Sequence, residues 1–338
     1  MNKLQSILSF NYGCDLCEIT TSGSDAIYTI MNVIFIHNLF EKFNIMLSNQ
    51  VYSSTPKIIK YICDTYSPSC IIHPFDVENS SEILELFNTC KNQNNILFIE
   101  SCSNSFGKIF DFELIPILKK ISNKFYAIVD NTWLTEIIFN PFIFEIDFVV
   151  ISLTKYYSAG NAIAGAILTK SSELSNPIMS KIITHRKFSG SHISPYTCDI
   201  IINKMSNIVS RINKTSKFVI KWFEYCNSNK HRNLNSIIHP YFENHSSHNL
   251  MKKYFKQEKI PSVFLITIKK STRSKIFKNI KKCIIFDCKT SFGADHSRFD
   301  PFCFNIDDLS YIRVSIGYND DLNIIICGIN ELLDFFDN

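Results

Sequence analysis

Two short apolar runs in the middle of the chain end on side chains that can do chemistry. Residues 126–129 (Tyr-Ala-Ile-Val) precede Asp130, and residues 148–151 (Phe-Val-Val-Ile) precede Ser152, with Lys155 three positions further on. Apolar runs of this length, closed by polar residues, predict buried parallel strands, and open α/β sheets bind ligands at the carboxyl ends of such strands. Two neighbouring strand ends would bring a carboxylate and an amine into one crevice.

A carboxylate and an amine in one crevice are what a pyridoxal 5'-phosphate (PLP) enzyme requires. The lysine forms a Schiff base with the cofactor aldehyde, and the acid keeps the ring nitrogen protonated so that the ring withdraws electrons from the substrate Cα. Taken singly, Asp130 would be an ordinary strand end and Lys155 a surface residue of a loop. Their order and context together favour the cofactor site.

The two segments also carry a family resemblance. Residues 130–133 (Asp-Asn-Thr-Trp) and 152–156 (Ser-Leu-Thr-Lys-Tyr) resemble the signature of the Cys/Met-metabolism PLP-dependent enzymes, which include cystathionine γ-synthase, cystathionine β- and γ-lyases, methionine γ-lyase and O-acetylhomoserine sulfhydrylase. The resemblance implies that Lys155 is the Schiff-base lysine and that Asp130 partners the ring nitrogen. Hydroxyl groups that would bind the cofactor follow from the same match: Thr132, Ser152 and Thr154.

The fold implied by the resemblance is the type I PLP-dependent transferase fold, which is α/β and aspartate-aminotransferase-like. It has a large, mostly parallel sheet domain and a smaller C-terminal α+β domain. A chain of 338 residues is long enough for two domains. Residues 190–211 resemble the family segment that leads into the inter-domain helix, so we predict a PLP-binding large domain over residues 1–200 and a small domain over residues 201–338.

A phosphate site is predicted near the amino terminus. Residues 21–26 (Thr-Ser-Gly-Ser-Asp-Ala) precede apolar positions that recur at helical spacing, so they open a helix. A helix start offers unpaired N–H groups and a positive dipole end, which suit a phosphate, although a plain N-cap without a ligand fits the same pattern. The segment is similar to the family's Ser-Gly-x-x-Ala, which implies that Gly23 and Ser24 hold the PLP phosphate.

Two further loops match cofactor-binding segments of the family. Residues 52–55 (Tyr-Ser-Ser-Thr) correspond to Tyr-Gly-Gly-Thr, which implies that Tyr52 stacks on the PLP ring and assists proton transfer. Residues 100–105 look like Glu-Ser-Pro-x-Asn-Pro with both prolines lost, which implies that Asn104 donates to the ring hydroxyl. Without the family, the tyrosine is a packing residue and the second segment a serine-rich loop.

Substrate binding is assigned to the last third of the chain. Residues 311–317 resemble the family's Ile-Arg-Leu-Ser-Val-Gly, which implies that Arg313 binds the substrate α-carboxylate, and Ser291 belongs to a Ser-x-Gly turn beside it. A guanidinium fork suits a carboxylate, whereas an arginine in a strand is otherwise an edge or surface residue. The apolar pattern also predicts strands at residues 263–268 and 283–286 and a final helix at residues 320–336.

Composition excludes several classes of protein. Hydrophobic residues make up 46% and charged residues 20%, which indicates a globular protein, neither disordered nor membrane-spanning. The net charge of +4 and the lack of basic stretches interleaved with aromatics argue against a nucleic-acid partner. The start lacks an apolar signal core, so we expect a cytoplasmic protein with reduced cysteines and no membrane association. A single C-x-x-C at Cys14 and Cys17 does not predict a metal site, and His245 and His248, in a polar stretch, are expected to be solvated.

The main departure from the family is at the front of the chain. Family members usually carry an N-terminal arm with a Tyr-x-Arg element that reaches the neighbouring subunit and binds the PLP phosphate. Ser22 and Gly23 come almost at once here, so the sequence predicts that the arm is absent and its arginine contact missing or replaced. The resemblance implies a homodimer or homotetramer, and the arm's absence leaves the choice open.

The sequence therefore predicts a PLP-dependent carbon–sulfur lyase or γ-replacement transferase. It would act at Cβ or Cγ of a sulfur amino acid or an O-activated homoserine, as in trans-sulfuration within cysteine and methionine metabolism. One alternative is a PLP enzyme of a specialised pathway that acts on another amino acid. A second is a degenerate, non-catalytic member with a structural or regulatory role, which the altered loops at residues 52–55 and 100–105 suggest. Against it, Lys155, Asp130, Tyr52 and Arg313 are all present.

Overall fold

The computed structural model describes residues 1–38, 41–66, 70–257 and 259–336. The chain divides into two compact units. The first unit comprises Met1–Asn104, Lys108–Thr154 and Asn161–Asn203, and the second comprises Ser105–Gly107, Lys155–Gly160 and Lys204–Asn338. The division separates Thr154, in the first unit, from Lys155, in the second.

The secondary structure alternates helices and strands. The helices are α1 (Asn2–Tyr12), α2 (Gly23–His37), α3 (Thr55–Tyr66), α4 (Ser80–Thr89), α5 (Ile115–Ile121), α6 (Thr135–Ile138), α7 (Ser175–Ser189), α8 (Pro195–Met205), α9 (Ile208–Ser228), α10 (His248–Tyr254), α11 (Arg273–Lys282) and α12 (Leu322–Asp334). The strands are β1 (Leu16–Thr20), β2 (Phe43–Ser48), β3 (Ile71–Phe75), β4 (Asn94–Glu100), β5 (Lys124–Asp130), β6 (Phe148–Ser152), β7 (Gly165–Thr169), β8 (Ser236–Ile238), β9 (Val263–Lys269), β10 (Asp287–Cys288), β11 (Arg298–Phe299), β12 (Phe304–Ile306) and β13 (Leu309–Ser315).

The first unit is built on a seven-stranded sheet in the order β1-β7-β6-β5-β4-β2-β3. The run from β6 to β3 is parallel, and β7 joins β6 in antiparallel orientation. The two apolar runs that flank the candidate chemistry lie in β5 and β6, which are paired neighbours with Asp130 opposite Val150. The prediction of two buried, adjacent parallel strands is therefore confirmed.

The core of the first unit lies between the sheet and helices that include α2. Ala26, Ile30 and Ile34 of α2 are fully buried in one cluster with Ile45 of β2 and Ile128 of β5. Burying this apolar face is the main favourable term that holds the helix on the sheet. Because α2 is fixed along its length, its amino-terminal turn has a fixed place relative to the strand ends.

The second unit is built on a six-stranded sheet in the order β10-β11-β13-β9-β8, with β12 also paired to β13. Strand β13 runs antiparallel to β9, with Arg313 opposite Leu265. The predicted strand at residues 263–268 is confirmed, and the final helix begins two residues later than predicted because Asp321 is its N-cap. A large, mostly parallel sheet with a second, smaller sheet is the α/β architecture that the resemblance implies.

The predicted strand at residues 283–286 is wrong. Cys283 caps the end of α11, and the chain bends through residues 284–286 before the two-residue strand β10. The backbone N–H groups of Ile284 and Ile285 donate to the carboxylate of Glu331 instead of to a neighbouring strand. Ile284 is 89% exposed, whereas Phe286 is buried. An apolar run was present, but only one of its side chains enters the core.

The expectation that His245 and His248 are solvated is also wrong. His248 begins α10 and is only 7% exposed, and its Nδ1 hydrogen-bonds to the carbonyl of Pro240 at 2.9 Å. His245 is partly buried, and its Nε2 hydrogen-bonds to the carbonyl of Phe106 at 2.9 Å. Both rings therefore stabilise loops of the second unit by hydrogen bonds to backbone carbonyls. Their polar sequence context did not indicate these contacts.

The described ranges show neither a membrane span nor a metal-binding cluster. No helix there has the length and apolar character needed to cross a bilayer. The same residues contain no group of three or more His, Cys, Asp or Glu side chains placed to hold a metal ion. All twelve cysteines are free thiols. Burial raises the pKa of the Cys14 thiol to about 11, which disfavours the thiolate that a metal would need.

Candidate active site

The start of α2 packs directly against the end of β6. Ser22 caps the helix by accepting a hydrogen bond from the backbone N–H of Asp25 at 3.0 Å. A Cβ atom on Gly23 would lie 2.7 Å from the Cβ of Ser152, so only glycine allows this close approach. The first N–H groups of a helix, here those of Gly23 and Ser24, have no partner within the helix. They are the donors that the sequence assigns to a phosphate.

Asp25 places a carboxylate in this first turn but directs it to neighbouring hydroxyls. Its Oδ2 accepts from the hydroxyl of Ser191 at 2.6 Å and from the N–H and hydroxyl of Thr21. Burial raises the pKa of the Asp25 carboxyl, but these hydrogen bonds outweigh that effect and lower its pKa overall. Asp25 therefore stays charged and fixes the turn that leads into α2.

The ends of β5 and β6 are joined by two hydrogen bonds. The Oδ1 of Asp130 accepts from the backbone N–H of Thr132 at 2.9 Å, and the hydroxyl of Thr132 accepts from the backbone N–H of Ser152 at 2.8 Å. Thr132 is buried, whereas Asp130 and Ser152 are half-buried. Three residues predicted to bind the cofactor thus form one connected group, and Gly23 packs against its far end.

Glu100 has a role that the sequence analysis missed, although it opens the segment 100–105. It ends β4 opposite Asp130 and is only 4% exposed. One carboxylate oxygen accepts from the backbone N–H of Tyr52 at 2.5 Å, and the other accepts from that of Asn104 at 2.9 Å. A single buried carboxylate therefore holds the two loops that carry Tyr52 and Asn104. Its signal was an acid that closes a buried strand, as Asp130 does.

The side chains on these two loops differ in exposure. Tyr52 is 44% exposed, so its ring is accessible for stacking, and Asn104 is half-buried. The hydroxyl of Thr154 lies 3.3 Å from both the carbonyl oxygen and the N–H of Ala164. Thr154 thus helps to close the loop between β6 and β7, in addition to the phosphate role that the resemblance implies.

In the second unit, Lys155 lies on the Ser291 turn. Its Nζ donates to the hydroxyl of Ser291 at 3.2 Å and stands 5.2 Å from the ring centroid of Phe292. Gly293 has a φ of 76°, and a Cβ there would lie 2.8 Å from the backbone nitrogen of Tyr156. The Ser-x-Gly pattern is therefore required by packing, because glycine alone allows this turn to approach the backbone around Lys155.

Arg313 meets the same turn from β13. Its guanidinium donates to the carbonyl of Thr290, the residue before Ser291, and forms an ion pair with Asp300. Lys155, Ser291 and Arg313 thus converge on one short segment of the second unit. Asp300 was not foreseen, because nothing in its sequence context distinguishes it from a surface carboxylate.

The comparisons with known proteins decide the family. A sequence model of the Cys/Met metabolism PLP-dependent enzymes matches residues 1–337. The chain belongs to this family. Its members depend on PLP, so the family and cofactor predictions are confirmed.

Two curated relatives and one solved structure illustrate the similarity. The chain is 30% identical to L-methionine gamma-lyase of Fusobacterium nucleatum subsp. polymorphum over 179 residues, which are 53% of this chain but only 44% of the lyase. It is 22% identical to cystathionine gamma-lyase of Dictyostelium discoideum over 337 residues, covering 95% of this chain and 82% of that protein. The chain thus spans less than half the length of the Fusobacterium relative.

The solved structure confirms the fold prediction. It is a crystal structure of a Campylobacter jejuni protein assigned as O-acetylhomoserine (thiol)-lyase, and it contains N'-pyridoxyl-lysine-5'-monophosphate. The TM-score is 0.82 at 22% identity, over 98% of this chain and 84% of that one. A likeness at this identity establishes the shared fold and leaves the activity to other observations.

The residues of the first unit of this family member fit PLP. Gly23 lets the start of α2 approach the hydroxyl-bearing end of β6, because a Cβ at Gly23 would lie 2.7 Å from the Cβ of Ser152. N–H groups and hydroxyls are suitable donors for a phosphate. The half-buried carboxylate of Asp130 is the anion that a pyridine nitrogen requires.

Substituting Gly23 tests this close packing against Ser152. Gly23→Ala is expected to lower the free energy of unfolding by about 1–3 kcal/mol, because the new Cβ overlaps that of Ser152. Ser152→Gly removes the opposing Cβ, so the double variant should recover most of that loss in a double-mutant cycle measured by urea unfolding. Ser24→Ala is the matched control. Equal losses from Gly23→Ala with and without Ser152→Gly would contradict the packing.

A second prediction concerns Glu100. Glu100→Gln replaces one acceptor oxygen by an amide NH₂, which cannot accept from the backbone N–H that it faces. One of the two loops should therefore lose its anchor, and the free energy of unfolding should fall by about 1–3 kcal/mol. Hydrogen exchange at the amides of Tyr52 and Asn104 measures this, with exposed Glu85→Gln as the control. Unchanged protection of both amides would show that the carboxylate does not hold the loops.

Proposed function

We propose that the chain is a PLP-dependent carbon–sulfur lyase or γ-replacement transferase that acts at Cβ or Cγ of a sulfur amino acid or an O-activated homoserine. The carrying observation is the connected group of Asp130, Thr132 and Ser152 against the start of α2, with Lys155 three residues beyond Ser152. When bound, PLP supplies an electron sink for negative charge that develops at the substrate Cα.

In this proposal, the first unit holds the cofactor. The N–H groups of Gly23 and Ser24 bind the phosphate, together with the hydroxyls of Ser152 and Thr154. The carboxylate of Asp130 binds at the ring nitrogen, where a nearby anion raises the pKa and retains the proton. The hydrogen bond from the N–H of Thr132 supports this role, because it fixes the carboxylate in one orientation.

Tyr52 and Asn104 complete the cofactor contacts. The exposed ring of Tyr52 is suited to stacking, and its phenol to proton transfer. Asn104 donates to the ring hydroxyl of the cofactor. The shared anchor on Glu100 supports both roles, because it holds the two loops in register with the strand that carries Asp130.

Lys155, Ser291 and Arg313 act on the substrate. Lys155 would hold the cofactor aldehyde through its Nζ, and the same amine would take the proton from the substrate Cα and give it to the departing group. Ser291 and Arg313 bind the α-carboxylate, which aligns the scissile bond. The contact between Lys155 Nζ and the Ser291 hydroxyl supports this pairing.

The wider organisation is proposed on the same basis. The PLP-binding large domain would comprise residues 1–200 and the small domain residues 201–338, in a homodimer or homotetramer that takes a small amino-acid substrate. Twelve free cysteines suit a reducing compartment, which supports a location in the cytoplasm. The curated methionine and cystathionine lyases support chemistry at a carbon–sulfur bond.

Product analysis tests the proposal. The protein is incubated with PLP and with L-cystathionine, L-methionine, L-cysteine, or O-acetyl-L-homoserine plus a thiol. Pyruvate indicates β-elimination, 2-oxobutyrate γ-elimination, and a new thioether γ-replacement. Lys155→Ala should lower the productive rate by roughly 10³-fold or more, because the proton-transfer group is lost.

Lys217→Ala, a lysine exposed on α9, is the matched control and should keep the wild-type rate. Turnover by Lys155→Ala at the wild-type rate would exclude the proposed chemistry.

A further inference from the structure

The guanidinium of Arg313 already holds a carboxylate within its own unit. Its Nη2 forms an ion pair with the Oδ2 of Asp300 and donates to the carbonyl of Thr290. The side chains of Arg313 and Asp300 are 11% and 10% exposed. The residue proposed to bind the substrate carboxylate is thus neutralised by a largely buried internal carboxylate, whereas Thr290 is exposed.

Asp300 is held in this position by the backbone. Its Oδ1 accepts from the N–H of Phe302 at 2.9 Å, and its own N–H donates to the carbonyl of Arg313 at 3.0 Å. The residue before it, Phe299, pairs with Val314 across β11 and β13. Both carboxylate oxygens are therefore engaged, and the strand pairing places Asp300 directly beside Arg313.

This pair changes what the site can recognise. A substrate carboxylate must either approach Arg313 against the negative charge of Asp300 or displace a tethered carboxylate, which is present at high effective concentration. A neutral amide or ester carbonyl carries no net charge, so Asp300 does not repel it. It can accept a hydrogen bond from a single one of the guanidinium's five N–H donors. Neutralising the guanidinium therefore weakens the usual advantage of a charged ligand group over a neutral one.

We infer that Asp300 is a specificity-determining residue. By holding Arg313, it lowers the preference of the site for a free α-carboxylate and admits amino-acid derivatives whose carboxyl group is neutral, such as amides. The inference rests on the proposed function, which assigns Arg313 to the substrate carboxyl group. It extends the substrate class from free amino acids to their carboxyl-blocked derivatives.

The test measures ligand binding at Arg313 without the cofactor. The side-chain Nε–H signal of Arg313 in ¹⁵N-labelled protein, assigned by its loss in Arg313→Lys, is followed during titration with propionate or propionamide. Asp300→Asn should need about tenfold less propionate than wild type for the half-maximal shift. In the variant, Arg313 has lost its internal counter-ion, so its full positive charge strengthens the hydrogen bond to propionate. The propionamide curve should stay within about twofold.

Asp287→Asn is the matched control, because it removes the same charge from the same unit at a carboxylate that pairs with Lys289. It should leave both curves as in wild type. Identical propionate curves for wild type and Asp300→Asn, or equal tightening for propionamide, would overturn the inference. A merely structural role for Asp300 would change the melting temperature without changing the ratio of the two affinities.

The wild-type protein provides the decisive measurement if Asp300→Asn does not fold. Its affinities for propionate and propionamide should then agree within about tenfold, and a preference for propionate above about 100-fold would overturn the inference. The PLP-loaded protein is titrated in parallel with L-methionine and L-methioninamide, followed by cofactor absorbance. If Asp300→Asn tightens propionate binding as expected but the protein does not bind PLP, the effect of Asp300 on Arg313 is supported and the proposed function is rejected.

Discussion

Parallel pairing of β4, β5 and β6 is the constraint on which the first unit depends. The pairing places Glu100 opposite Asp130 and Asp130 opposite Val150, two residues before Ser152. The middle of each of these strands is apolar and buried, and each strand closes on a polar side chain at its carboxyl end. The polar ends consequently form one row, and burial of the strand interiors fixes where that row lies.

Backbone N–H groups then organise the loops around this row. Glu100 receives two of them, Asp130 receives that of Thr132, and the hydroxyl of Thr132 receives that of Ser152. Such bonds fix the loop backbones, and two of the acceptors, the side chains of Asp130 and Thr132, are themselves predicted to bind the cofactor. The missing Cβ of Gly23 serves the same end, because it lets the start of α2 approach the end of β6. The loops that carry the residues proposed to bind the cofactor are thus held by a rigid scaffold.

The sequence predicted the features that neighbouring residues encode, and it missed those that depend on contacts between distant parts of the chain. Local patterns were sufficient for β5, β6 and the start of α2, since a strand end or helix cap is encoded within a few residues. The role of Glu100 required the register between β4 and β5, which a single strand does not encode. The Asp300–Arg313 pair required the antiparallel neighbours β11 and β13. The false strand at residues 283–286 arose because its apolar residues do not share one environment, with Ile284 exposed and Phe286 buried.

The central claim, that Lys155 holds PLP covalently, is tested most directly by spectroscopy and peptide mapping. The purified protein is mixed with PLP, its visible absorption is recorded, and the adduct is reduced with borohydride before digestion. We expect a new visible band, and the reduced cofactor should be recovered on the peptide that contains Lys155. A band trapped on a different lysine, or the absence of any band at saturating PLP, would contradict the claim.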